Sequence, residues 1–112
     1  MKYISTRGQA PATDFAGACL AGLAPDGGLY VPETFPQIDR PTPGEPYHEV
    51  AARILSAFAG ETIPLNDLKR LCAKAYGTFS HHSVAPLTQS GPGAWLMELH
   101  HGPTLAFKDV AM

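Results

Sequence analysis

Charge is scarce in this chain. Asp, Glu, Lys and Arg make up only 16% of its 112 residues, and the net charge is −2 with the two signs interleaved. No cluster of Lys and Arg is present to neutralise phosphates, so neither DNA, RNA nor an anionic membrane surface is expected as a partner. Long hydrophobic runs are missing as well. The longest stretch of small and apolar residues, Ala16 to Ala24, is broken by Gly17 and Gly22 and is too short to cross a bilayer. The N-terminus, Met1 to Gly8, has no apolar segment behind its positive charge and does not read as a secretory signal. There are only two cysteines, Cys19 and Cys72, in helix-like segments without CxxC spacing. They are expected to be free core thiols, with a disulfide between them as the lesser alternative, and both suit the cytoplasm. Repeats and low-complexity tracts are absent. What is plentiful is apolar residues, 45% of the chain, the composition of a globular domain.

The order of local signals predicts an α+β unit. Lys2 to Ser5 reads as a short strand, and Thr13 or Asp14 as the cap of a helix running to about Leu20, with Gly22 as its stop. Ala24-Pro25-Asp26-Gly27-Gly28 is a turn cluster, followed by a short buried strand, Leu29 to Pro32. Pro41, Pro43 and Pro46 around Gly44 mark an exposed linker. Two amphipathic helices follow. Tyr47, Val50, Ala51, Ile54, Leu55 and Phe58 recur at helical spacing before Gly60, and Leu65, Leu68, Leu71, Cys72 and Ala75 before Gly77. They are expected to pack on each other. Val84 to Leu87 reads as extended, Ser90 to Gly93 as a turn and Ala94 to Leu99 as a strand. After a tight connection at His100 to Pro103, Thr104 is placed to cap a helix that starts at Leu105. The chain stops barely two turns later, at Met112, so truncation within a strand-loop-helix unit is expected.

The chemistry sits in Glu98-Leu99-His100-His101-Gly102-Pro103-Thr104-Leu105-Ala106-Phe107-Lys108-Asp109. This stretch resembles the cofactor-lysine motif of the threonine synthases, in which the lysine after Gly-Pro-Thr-Leu-Ala-Phe binds the aldehyde of pyridoxal phosphate (PLP). Ser5-Thr6-Arg7-Gly8 and the run Gly22 to Pro32 resemble the N-terminal domain of the same family, and a looser likeness continues from Tyr47 to Phe79. Two departures stand out: His100 and Val110 each occupy a place where the family commonly has Phe.

The resemblance implies a fold, a reaction and a set of residues. Residues 1–82 would be a small threonine synthase-like N-terminal domain. Residues 83–112 would be the first strand-loop-helix of a PLP-binding domain built, as in the tryptophan-synthase β-subunit type, from open α/β sheets. The complete enzyme would turn O-phospho-L-homoserine and water into L-threonine and phosphate. Lys108 would hold the cofactor and then act as general base and acid. The cofactor's phosphate loop and the partner of its pyridine nitrogen would lie beyond Met112, so this chain alone is expected neither to hold PLP stably nor to turn over.

Residue chemistry agrees with that assignment. A carbonyl condenses only with a neutral amine, whereas a free lysine titrates near ~10.4. Burial and the positive end of a helix both disfavour the ammonium. Thr104 as cap, Phe107 as a water-excluding neighbour and Asp109 as the partner of a nearby cation or donor complete the expected cofactor surroundings. On spacing alone, however, Lys108 reads as a surface lysine. Ser5, Thr6 and Arg7 would reach a substrate phosphate if the resemblance extends to them, or else form a strand end with local hydrogen bonds. His101, three positions before the expected cap, would line the cavity. The pairs His81-His82 and His100-His101 are read as local hydrogen-bonding groups and not as metal ligands, because neighbours on a strand point apart and no Cys/His pattern spans them. A threonine synthase-like homologue with another phosphorylated or hydroxylated substrate, and a non-catalytic binding module, are the other classes considered.

Overall fold

The structure, a computed structural model, describes residues 1–111; Met112, the last residue of the expected 83–112 segment, lies outside the described residues. The architecture is α+β, with two small antiparallel sheets and four helices among the described residues. The chain divides into two compact units. One comprises Met1–Arg40 and Ala52–Leu68; the other comprises Pro41–Ala51 and the chain from Lys69 on.

In the first unit, β1 (Tyr3–Ser5) pairs antiparallel with β2 (Tyr30–Pro32), with Ile4 opposite Val31. Tyr3 also exchanges both backbone hydrogen bonds with Thr13, at 2.8 and 3.0 Å. Helix α1 (Phe15–Ala21) is capped as its sequence predicts. Asp14 accepts from the Gly17 N–H, and Gly22 turns the chain out at φ 68°. This seven-residue helix buries none of its side chains, and so Cys19, expected in a core, is exposed. The real core of the unit is small. Tyr3 is buried, its ring lies 5.9 Å from that of Phe15, and its hydroxyl donates to the Phe58 carbonyl at 3.0 Å. Ala52 and Ala59, two turns apart on one face of α2 (Tyr47–Ala59), are fully buried.

In the second unit, the first turn of α2 meets α3 (Leu65–Tyr76) through side chains. The rings of Tyr47 and Tyr76 stand edge to face at 4.9 Å, and Lys69 pairs with Glu49 at 2.9 Å. Cys72 is the buried thiol, and burial pushes its pKa up. The prolines before the two helices lose no donor that a helix start would use. Their carbonyls take the first helical bonds, from Glu49 and Val50 at Pro46 and from Asp67 and Leu68 at Pro64.

The hairpin differs from its sequence signals. Residues 84–86 are not a strand; β3 is Leu87–Gly91 and pairs antiparallel with β4 (Ala94–Met97) across a bulge at Gln89/Gly91. The reason lies upstream. Val84 has φ 58° in a turn closed by its N–H on the His81 carbonyl, and Pro86 has no N–H to give a ladder. Leu87, Trp95, Leu96 and Met97 are all more than half exposed.

Candidate active site

The chain leaves β4 into Glu98, whose N–H donates to the Pro86 carbonyl, and His101, whose carbonyl accepts from the Ser80 N–H. Gly102 follows, buried. The expected helix at Leu105 does not form there. Leu105 has φ 60°, which a right-handed helix excludes, and its N–H closes a turn onto the Gly102 carbonyl. Helix α4 is Lys108–Ala111, three residues later, with Lys108 as its first residue.

Thr104 is therefore not the cap of a helix beginning at Leu105. The polarity runs the other way, because Thr104 is the donor. Its hydroxyl gives to one Asp109 carboxylate oxygen at 2.6 Å and its N–H to the other at 2.9 Å. The two bonds brace residues 104 to 109 across the lysine. The Thr104 hydroxyl, more than any other group, holds the Asp109 carboxyl below the ordinary carboxylate value of 3.8. Thr104 is thus the partner that the sequence left unnamed for Asp109. The carboxylate lies against Gly102, where an added Cβ would stand 2.7 Å from Asp109 Cγ.

Lys108 is exposed and lines an open cavity of about 670 Å³, together with Tyr76, Phe79, Thr104, Asp109 and Val110. Phe107 stands outside that lining and is 60% exposed, so the described residues do not use it to exclude water from the amine. With α4 only one turn long among the described residues, the helix field on the amine is correspondingly weak.

Ser5, Thr6 and Arg7 belong to the first unit and lie in a local network. The Ser5 hydroxyl donates to Asp26 at 2.7 Å and accepts from the Arg7 N–H. The Thr6 hydroxyl accepts from the Leu29 N–H, and the Arg7 guanidinium donates to the Asp26 carbonyl at 2.9 Å. The hub is Asp26, a residue read from sequence only as part of a turn. Its carboxylate also accepts from the N–H groups of Gln9, Ala10 and Gly28, at 2.9 to 3.0 Å. The visible signal was Asp before Gly-Gly, the pattern of a side chain that bonds backbone two residues on; the long-range donors left no trace.

Led by the bond from Ser5, these donors hold the Asp26 pKa below 3.8 in the folded chain. The folded value lies below the unfolded one, so the stabilisation is complete above 3.8 and is lost as pH falls through the folded value. In thermal melts taken from neutral to acid pH, D26N is expected to be less stable than the wild type at neutral pH. The gap should narrow below pH 3.8. Parallel curves would refute this role.

Residues 2–76 match the family described as threonine synthase N terminus. The chain belongs to the threonine synthase family. It is 51% identical to a threonine synthase of Pseudomonas aeruginosa over the whole chain, which spans 25% of that relative. It is 42% identical to threonine synthase-like 2 of Xenopus laevis, again over the whole chain and 25% of the relative. Its fold superposes on a crystal structure of PLP-bound threonine synthase from Brucella melitensis with a TM-score of 0.92 and 52% identity, covering 99% of this chain and 25% of that one. The chain thus spans about a quarter of the threonine synthases it matches, and the likeness runs through Lys108, past the end of the family match at residue 76.

Proposed function

We propose that this chain forms the N-terminal part, with the cofactor lysine, of a PLP-dependent carbon–oxygen lyase that converts O-phospho-L-homoserine and water into L-threonine and phosphate. This would be the last step of threonine biosynthesis, carried out in the cytoplasm. In this reading residues 1–82 are the N-terminal domain and residues 83–112 open the catalytic domain. The observation that carries it is the position of Lys108: first in α4, on the wall of a cavity, behind a turn braced by Thr104 and Asp109.

Lys108 and the cavity beside it would supply one part of a cofactor site. The cavity is of the size that small-ligand sites have, and Tyr76 and Phe79 give it aromatic wall. When bound, PLP supplies an electron sink for charge developing on the substrate. In this reading Lys108 Nζ would hold the cofactor through its aldehyde carbon, with loss of water, and when free would move protons at the substrate carbons. The brace between Thr104 and Asp109 aims that amine. Arg7 spends Nη1 on the Asp26 carbonyl, and a guanidinium carries five donors, so among Ser5, Thr6 and Arg7 it keeps the most capacity for a substrate phosphate. His101, expected to line the cavity, instead pairs with Glu98 at 2.6 Å and is not among the residues that line the cavity beside Lys108.

A second reading, compatible with the 42% identity to threonine synthase-like 2 of Xenopus laevis, is a homologue with the same lysine and a different phosphorylated or hydroxylated amino acid as substrate. A substrate panel on the complete enzyme separates the two. Borohydride reduction of the PLP-loaded complete enzyme, followed by peptide mapping, is expected to leave the pyridoxyl label on Lys108. A label on any other lysine would overturn both readings.

A further inference from the structure

We infer that Glu98, His100 and His101 form a binding site for one borderline divalent cation of the Zn²⁺ class, separate from the chemistry of Lys108. One ligand atom from each residue lies within 4.8 Å of the others. The Glu98 Oε2 atom is the hinge of the cluster, 2.6 Å from His101 Nε2 and 3.9 Å from His100 Nε2. A tetrahedral zinc ion, with bonds of about 2.0–2.2 Å, sets neighbouring ligand atoms roughly 3.3–3.6 Å apart. Relative to Glu98 Oε2, His101 must open by about 0.8 Å and His100 close by about 0.5 Å, both smaller than a rotamer change, and the two imidazole nitrogens, within 4.8 Å of each other, must settle to the same spacing. The His100 side chain is 62% exposed and free to make the adjustment, while those of Glu98 and His101 are largely covered and fix the base of the site.

The surroundings favour the assignment. Thr88 donates to the other oxygen of Glu98, Oε1, which orients the carboxylate and leaves Oε2 for the ion, as outer partners do in metal sites. One carboxylate and two imidazoles are a donor set that suits zinc and its neighbours. The nearby His81, its ring 5.1 Å from that of His101, is not a third imidazole ligand. Its Nδ1 accepts from the Ser83 N–H, which in the neutral ring puts the proton on Nε2. Three protein ligands therefore leave a fourth position for water. Adjacent histidines on a strand would point apart and could not share an ion. His100 and His101 lie past β4 in irregular backbone, however, and their ring centroids are 4.4 Å apart.

The test is titration of the untagged full chain with Co²⁺, followed by visible absorption and displacement with Zn²⁺. The expected result is one ion per chain, with H100F and E98Q each binding at least about tenfold more weakly and H82A binding as the wild type does. Phe is the aromatic expected at position 100 by resemblance, so H100F is the variant least prone to misfold. Circular dichroism checks it, and imidazole NMR of the wild type gives an independent reading through the His100 and His101 nitrogens. Unchanged affinity in H100F, a cobalt–thiolate absorption, shifts confined to other histidines, or no binding with the Glu98–His101 contact as a plain ion pair would each overturn the inference.

Discussion

Replacing Lys108 by alanine in the complete enzyme is expected to abolish the visible absorption of lysine-bound cofactor and to lower threonine formation by about 10²–10⁴-fold or more, the share that a positioned acid–base group supplies. The loss should be deeper than for a simple proton carrier if, as proposed, the same Nζ also holds the cofactor. Lys108→Arg sharpens the test. It preserves the positive charge and most of the side-chain length, but a guanidinium does not lose its proton near neutral pH. If the lysine acted only as a charge, arginine would restore function. If it acts as a nucleophilic amine, arginine should be as inactive as alanine, with PLP removable by dialysis from both. Survival of the absorption and of turnover in Lys108→Ala would end the proposal. The fold should tolerate either change, since Lys108 is exposed in the described structure.

Gly102→Ala is expected to be the most damaging substitution that touches neither cofactor nor substrate. The nearest atom to an added Cβ is the Asp109 Cβ, with the carboxylate carbon 2.7 Å away. The root of a side chain cannot swing aside as its tip can, so either Gly102 or α4 must move. Movement of α4 carries Lys108 with it and takes the Asp109 carboxylate from the Thr104 N–H and hydroxyl. A displacement near 1 Å at a reacting group costs on the order of 10² in rate, so kcat/KM should fall by about that factor in the complete enzyme. Asp109→Ala removes the same brace from the other side. The double variant Gly102→Ala/Asp109→Ala should therefore be little worse than the more severe single one, the non-additivity of groups acting as one unit. Independent, multiplying losses would show that the glycine matters for another reason.

Much of this arrangement was legible in the residues. The stripes of α2 and α3 announced themselves because apolar residues at helical spacing leave few alternatives, and Asp14 and Gly22 bounded α1 by capping chemistry that works within four residues. The misplacements share one physical cause. Val84 and Leu105 adopt positive φ, at 58° and 60°. Neither side chain advertises that conformation, since signals for left-handed backbone come from glycine and asparagine. Val84 delayed the strand to Leu87, and Leu105 delayed the helix to Lys108. Thr104 bore the signature of a cap, yet its hydroxyl found Asp109, a partner set by the path of the turn. Asp26 escaped for a related reason. Its donors Ser5, Gln9 and Ala10 are 16 to 21 residues away, and only the folded chain brings them to one carboxylate.

The hairpin has a practical corollary. Trp95, on β4, is the chain's single tryptophan and is 58% exposed. Indole emission shifts to the blue when water leaves the ring, so the fluorescence of this one residue is an intrinsic gauge, free of background from a second fluorophore of its kind, of whatever comes to rest against that ribbon.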